Sequence, residues 1–284
     1  MALIGDLLRK IRSAFKKAGV DQEEAEYLLA HILGISRAEV HLRAREHLPA
    51  ELLPTLEMAL KRRLTREPLA YIFGEVEFYG RPFRVGPGVL IPRPETEILV
   101  ETVIGLCPER EPFLLDLGTG SGVIGITLAL ERQALVVAID KSLVALSYAQ
   151  ANLLRYRLKN RVFLVASDWC QALRPQRVFQ VVVSNPPYVG PEEWPHLAPE
   201  IKDFEPQEAL VAREEGLSAI KKVIACARKH LAPGGFLVCE IGARQADKVL
   251  ALAQQAGLLE GRIIPDLAGN PRILVARQRR EDSH

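Results

Sequence analysis

Two short segments carry the residues whose types and spacing could do chemistry. The first, DLGTGSGVIG, covers residues 116–125, where an apolar run ends and a helical stretch begins. Glycines at a strand-to-helix turn bend the chain sharply and let a ligand approach the main chain without meeting a Cβ. Two patterns fit. Gly120, Gly122 and Gly125 spell G-x-G-x-x-G, the dinucleotide fingerprint that seats a pyrophosphate on a helix N-terminus. Asp116, Gly118, Gly120 and Gly122 instead spell an acid followed by three alternating glycines, the form that S-adenosylmethionine sites show. That acid would face the amino group of a zwitterionic or cationic ligand and would be a poor neighbour for a pyrophosphate. Asp140 ends the next apolar run, where a carboxylate can accept both ribose hydroxyls. It indicates a nucleoside and fits either cofactor.

The second segment, SNPPYV, follows the run FQVVV and so sits at the carboxyl end of a strand, the edge where open α/β sheets bind ligands. Pro186 and Pro187 stiffen the loop and have no N–H, which leaves the carbonyls of Asn185 and Pro186 to point into a pocket. With the side-chain carbonyl of Asn185 they can hold both protons of one NH2 group, and Tyr188 offers a flat face to a planar amide or base. A planar nitrogen is a weak nucleophile because its lone pair is delocalised. Fixing its two N–H bonds aims that lone pair at an electrophile.

The elements that must position these segments show in the hydrophobic pattern. Ile4, Leu7, Leu8, Ile11 and Phe15 recur at helical spacing, and Gly19 ends that helix. Asp21 with Glu24, and Ser36 with Glu39, read as reciprocal caps of the next two helices. A fourth helix over residues 50–66 carries Leu53, Leu56, Leu60 and Leu64, giving a small bundle. EVEFYGRPFRV reads as a hairpin turning at Gly80, and the proline-rich stretch after it as an extended passage into a helix near Pro94. Beyond it FLLDLGT, LVVAID, VFLVAS, FQVVVSN and FLVCEIG alternate with helical stretches and are apolar on both faces, which predicts an open, mostly parallel α/β sheet. GRIIPDLAGNPRILVAR predicts a closing antiparallel hairpin around Gly269.

Composition narrows the classes. In 284 residues, 37 basic side chains nearly balance 35 acidic ones, which disfavours a broad nucleic-acid surface. No apolar run is long enough for a membrane span, and lysines and arginines interrupt the first apolar stretch, so neither a signal peptide nor an anchor is expected. The four cysteines are far apart, with no Cys-x-x-Cys pair. A disulfide framework and a zinc site are both unexpected, and a reducing, cytoplasmic setting fits. His41 and His47 lack ligand spacing and read as solvated. Lys61, Arg62, Arg63 and Arg66 read as a wetted basic face that can meet an acidic partner.

Taken together, the segments resemble S-adenosylmethionine-dependent methyltransferases acting on an exocyclic or amide NH2. Over nearly its full length the chain resembles the HemK/PrmC family, which methylates the glutamine amide in the Gly-Gly-Gln motif of class-1 peptide release factors. The resemblance rests on EFYGRPF, LIPRPETE (residues 90–97), DLGTGSG (116–122), SDW (167–169), SNPPY (184–188), FEPQEAL (204–210) and GNPRILVAR (269–277). One departure is LVAREE, between Ala209 and Gly216, where the family tends to be glycine-rich.

This resemblance implies a Rossmann-like methyltransferase sheet with an antiparallel C-terminal hairpin behind a small helical bundle. Residues 1–67 would recognise the partner, 68–93 would be hairpin and linker, and 94–284 would transfer the methyl. Gly118, Thr119, Gly120, Ser121 and Gly122 would cradle the methionine part of S-adenosylmethionine, and Asp140 would hold its ribose. Asp168 and Trp169 would lie at the adenine. Asn185, also counted among the cofactor contacts, would bind the glutamine amide together with Pro186, Pro187 and Tyr188. Asn185 and Pro186 would serve catalysis, and S-adenosylhomocysteine would be the product. Arg93 and Glu95 would form a salt-bridged linker without a catalytic role. No metal, membrane or nucleic acid is implied, and a monomer is expected. A ribosomal-protein glutamine methyltransferase, a nucleic-acid base methyltransferase and a non-catalytic cofactor-binding protein are the competing functions.

Overall fold

The computed structural model describes residues 2–107 and 111–280. In chain order the elements are α1 (Ile4–Lys17), α2 (Glu24–Leu33), α3 (Arg37–Leu42), α4 (Leu53–Leu64), α5 (Leu69–Phe73), β1 (Glu75–Phe78), β2 (Arg81–Arg84) and α6 (Glu95–Leu106). Then come β3 (Phe113–Leu117), α7 (Val123–Arg132), β4 (Leu135–Asp140), α8 (Leu143–Arg155), β5 (Val162–Ala166) and β6 (Phe179–Ser184). The remainder holds α9 (Pro199–Phe204), α10 (Leu217–His230), β7 (Leu231–Glu240), α11 (Ala246–Gln255), β8 (Leu259–Pro265) and β9 (Pro271–Arg277). They group into two compact units, Met1–Gly74 with Ala198–Phe204, and Glu75–Leu197 with Glu205–His284.

In the first unit Ile4, Leu8, Ile11 and Phe15 bury the stripe expected of α1 against Leu28, Leu29, Val40 and Leu56. Ser36 and Glu39 form the reciprocal cap, with Glu39 N–H on Ser36 Oγ at 3.3 Å and Ser36 N–H on Glu39 Oε2 at 2.9 Å. The pair at Asp21 and Glu24 does not. Asp21 Oδ1 takes the Glu23 N–H at 3.0 Å, a local turn one residue short of the capping position. On α4 the apolar stripe is also displaced. Leu53 and Leu64 are exposed, whereas Leu56, Ala59 and Arg63 face inward. Arg63, 2% exposed, pairs with Glu24 at 2.6 Å and Glu200 at 3.1 Å, while Arg66 meets Glu200 at 2.8 Å and Arg62 meets Glu67. The basic run expected to be wetted therefore spends most of its charge on carboxylates of its own unit, as a buried guanidinium must. His41 is exposed, as expected, with Glu26 at 3.3 Å.

The second unit is built on one sheet in the order β5-β4-β3-β6-β7-β9-β8. Pairs from β5 to β7 are parallel, and β9 runs antiparallel to both β7 and β8. Strands apolar on both faces need cover on both. One core gathers Leu114, Val136, Val181 and Leu99 from α6; the other gathers Leu115, Val182, Leu237 and Ile220 from α10. The antiparallel hairpin inserts β9 beside β7 and leaves β8 as the edge, where Glu260 and Arg262 are exposed and discourage pairing with another strand. Strands β1 and β2 pair as the expected hairpin, with Phe78 and Phe83 buried. Asn152 of α8 is fully buried and holds that hairpin to the glycine turn. Its Oδ1 accepts Arg84 N–H at 2.7 Å, and its Nδ2 donates to the carbonyls of Arg84 and Ser121.

The pattern did not foreshadow α5, α9 or α11. Nor did it foreshadow a disulfide joining Cys170, in the loop after β5, to Cys226 on α10, 56 residues away. It corrects the expectation of reduced thiols for this pair, because pairing depends on proximity in the fold rather than on spacing along the chain. Cys107 and Cys239 are buried outside that bond. No helix among the described residues is long and apolar enough to cross a membrane.

Candidate active site

Strand order reverses between β3 and β6, and ligands bind open α/β sheets at such a point. Register aligns the loops there. Leu117 pairs with Ile139 on one side and Ser184 on the other, and Asp140 pairs with Ala166. The glycine turn, the loops after β4 and β5, and the SNPPY segment therefore leave the sheet at one edge. The Ser184 hydroxyl reinforces the join by donating to the Leu117 carbonyl at 2.6 Å.

These loops enclose a cavity of about 400 Å³, in the size range of small-molecule sites. Gly118, Thr119, Gly120, Ser121, Asp140, Asp168, Trp169, Asn185 and Pro187 line it, so most of the expected site residues are brought together. Three are not on its wall. Gly122 starts α7, where a Cβ would lie 2.9 Å from Ile126 Cδ1, so its role is close packing. Pro186 is buried. Tyr188 is drawn away by its hydroxyl, which donates to Glu240 Oε1 at 3.1 Å, and does not offer its ring to the cavity. Burial and the neighbouring Glu240 charge push the Tyr188 phenol up.

The cavity suits a nucleoside carrying an amino-acid tail. A Cβ at Gly118 would meet nothing within 4 Å, and one at Gly120 only Val89 Cγ2 at 3.9 Å; both glycines have positive φ, so the bare main chain forms an open cradle. Ser121 Oγ is buried with no hydrogen-bond partner. Asp140 is held rigidly by Gly120 N–H on Oδ2 and Ser142 N–H on Oδ1, both at 2.9 Å, with lone pairs left for hydroxyl donors. Val89, Ile124, Ala219 and Trp169 add apolar wall. Asp168 accepts from Gln171 Nε2 at 3.1 Å and has Lys222 at 3.8 Å.

Asp116 departs from expectation. It is fully buried, off the cavity wall, and does not face a ligand amino group. Its Oδ2 accepts from Thr119 Oγ1 at 2.7 Å and Gly125 N–H at 3.1 Å, tying the turn to the start of α7, while Oδ1 has no partner. Burial pushes its carboxyl up to about 7. An acid raised in the folded state keeps its proton where the unfolded chain releases it, so this group's stability contribution is present at pH 4 and lost as pH rises towards 7. Asp116→Asn removes that titration. Across this window the melting temperature of the variant should gain several degrees relative to wild type in a thermal series; parallel profiles would refute the assignment.

Residues missed by sequence reasoning complete the frame. Arg93 pairs with the buried Glu205 rather than Glu95, and Glu205 also takes the Ile91 N–H at 3.0 Å. Gln245 Nε2 donates to the carbonyls of Tyr188 and Glu215, both at 3.0 Å. Thr96 lines the cavity and receives Asn185 Nδ2 at 3.1 Å. Burial pushes the Glu240 carboxyl up, against hydrogen bonds from Thr96 and Tyr188 and the charge of Arg272. Arg93 and Thr96 had a signal in their place within LIPRPETE, and Glu205 in its place within FEPQEAL; Gln245 and Glu240 had none.

Residues 6–74 match the PrmC N-terminal domain family, and residues 94–199 the methyltransferase small domain family. Release factor glutamine methyltransferase of Cereibacter sphaeroides is 41% identical over 277 residues, covering 96% of this chain and 97% of the relative. The enzymes of the same name from Coxiella burnetii and Escherichia coli are 43% and 37% identical, covering 90% and 95% of this chain and 91% and 97% of the relatives. Among solved structures, a methyltransferase from Pyrococcus furiosus superposes with a TM-score of 0.54 at 17% identity, over 77% of this chain and 97% of its own. The hMettl16 catalytic domain superposes with a TM-score of 0.58 at 16% identity, over 83% of this chain and 84% of its own. At these identities the structural matches speak for the fold alone.

Proposed function

The chain belongs to the release factor glutamine methyltransferase family, and we propose that it methylates the side-chain amide nitrogen of the glutamine in the Gly-Gly-Gln motif of class-1 peptide chain release factors, with S-adenosylmethionine as donor. The observation that carries this reading is one cavity whose wall joins the open glycine cradle and Asp140 to the Asn185 carboxamide.

When bound, S-adenosylmethionine supplies an electrophilic methyl on a positively charged sulfur. Gly118 to Ser121 would hold the methionine part, Asp140 would accept from the ribose, and Asp168 and Trp169 would flank the adenine. Asn185 Oδ1 accepts one N–H of the substrate amide, and the carbonyl of Pro186, between the wall residues Asn185 and Pro187, accepts the other. These two acceptors orient the nitrogen lone pair along the line of attack, a gain of positioning rather than of basicity. No strong base is needed, because the N-methylated amide cation that the displacement forms is far more acidic than the starting amide and sheds its proton to solvent.

The helical residues 1–67 serve partner recognition; exposed Leu42 and Met58 are available for such contacts. Residues 68–93 carry α5, the hairpin and the linker, residues 94–284 transfer the methyl, and one chain is the working unit. Purified enzyme with methyl-labelled donor should label release factor on the Gly-Gly-Gln glutamine, read by peptide mass spectrometry, and leave ribosomal protein and duplex DNA unlabelled. Label on either of the latter in place of release factor would overturn the reading.

A further inference from the structure

A buried hydrogen-bonded chain runs behind the wall of the cavity and ends on Asn185. Glu240, the last residue of β7, is 1% exposed, and both its oxygens are engaged. Oε1 accepts from the Tyr188 hydroxyl at 3.1 Å and Oε2 from the Thr96 hydroxyl at 2.8 Å. Thr96, 2% exposed in the first turn of α6, receives Asn185 Nδ2 at 3.1 Å. The partners are 52, 144 and 89 residues apart in sequence, so three separate elements meet here.

With Glu240 as the carboxylate that accepts from both hydroxyls, the polarity of this chain follows from counting protons. A threonine hydroxyl has one proton, and Thr96 gives it to Glu240. Only lone pairs then face Asn185, so only the NH2 end of that carboxamide can turn towards Thr96. The reverse orientation would set two acceptor oxygens against each other with no proton between them. The two ends of a carboxamide are nearly equal in shape, so packing alone does not choose between them.

We propose that Glu240, acting through Thr96, is the positioning device that holds the Asn185 carboxamide with its oxygen towards the substrate, while its other oxygen pins Tyr188 at the far end of the same loop. This rests on the reading of Asn185 as an acceptor for the substrate amide. Thr96 and Glu240 do no chemistry of their own. They set which end of Asn185 the substrate meets, and hence whether its amide is held by an acceptor or repelled by a donor. It also gives a use to a carboxylate at a depth where an unpaired charge is heavily penalised.

A double-mutant cycle on the full chain separates this role from mere packing. Thr96→Val keeps the volume and removes the oxygen. It should lower single-turnover methyl transfer to release factor roughly tenfold to fiftyfold, with cofactor affinity changed by less than about threefold. Thr96→Ser, which restores the hydroxyl, should recover to within about threefold of wild type. In an Asn185→Ala background, Thr96→Val should change the rate by less than about twofold, because no carboxamide remains to orient. Thr96→Ala runs in parallel as a smaller deletion of the same oxygen, should valine disturb the helix. An active wild type whose Thr96→Val and Thr96→Ala variants keep its rate overturns the proposal. So does a Thr96→Ser variant as slow as Thr96→Val, or an equal loss from Thr96→Val in both backgrounds. A wild type that transfers no methyl to release factor overturns the functional reading itself, which distinguishes the two failures.

Discussion

Asn185→Ala should lower kcat for release-factor methylation roughly a hundredfold to a thousandfold, the range for deleting one preorganised polar contact in a closed site. The dissociation constant for S-adenosylmethionine should move by less than about threefold, since Asp140 and the cradle of residues 118–121 are untouched. The large effect follows from what an amide nitrogen lacks. Its lone pair is shared with the carbonyl, and a freely rotating side chain presents that lone pair to the methyl group only rarely. Removing one of two acceptors frees the rotation and leaves a substrate N–H facing a wall that cannot accept it. Single-turnover transfer measured beside calorimetric cofactor binding separates the two quantities. A variant within about threefold of wild type in turnover would remove Asn185 from the mechanism.

What could be foreseen depended on distance along the chain. The Ser36 and Glu39 cap, the hairpin at Gly80 and the glycine turn involve residues close in sequence, and their residue types suffice to specify them. The strand succession was legible because runs apolar on both faces imply a sheet covered on both sides. Glu240, Glu205, Gln245 and the Cys170–Cys226 bond were not, since each acts on a partner at least 30 residues away. Glu240 and Gln245 look like ordinary polar residues in a sequence, and Glu205, although inside FEPQEAL, gives no sign of the partner it meets. Arg63 was misjudged for the same reason: one arginine in a basic run gives no sign that two carboxylates from distant segments close over it. Asp116 shows a subtler limit. Its spacing to the glycines correctly marked a special acid, but spacing does not say which way a carboxylate turns, and this one turns inward to Thr119 and Gly125.

The same logic makes Gly216, which touches no expected ligand, a sensitive position. It caps α10 with φ near 81°, and a Cβ there would lie 2.0 Å from the Tyr188 carbonyl oxygen and 2.6 Å from Gln245 Nε2. The carbonyl is main chain, held by Gln245, and cannot swing aside as a side-chain tip would. To relieve the overlap, the loop that carries Asn185 has to move by about 1 Å, a misplacement that can cost around a hundredfold in rate. Gly216→Ala should therefore lose about one to two orders of magnitude in kcat while cofactor affinity holds, besides about 1–2 kcal/mol of stability from the left-handed backbone. Gly34→Ala isolates the second effect. Gly34 is also left-handed, at φ 66°, but nothing lies within 4 Å of its Cβ position. That variant should lose comparable stability and keep its turnover. If Gly216→Ala also kept its turnover, the contact between Gly216 and Tyr188 would have no part in holding the loop for catalysis.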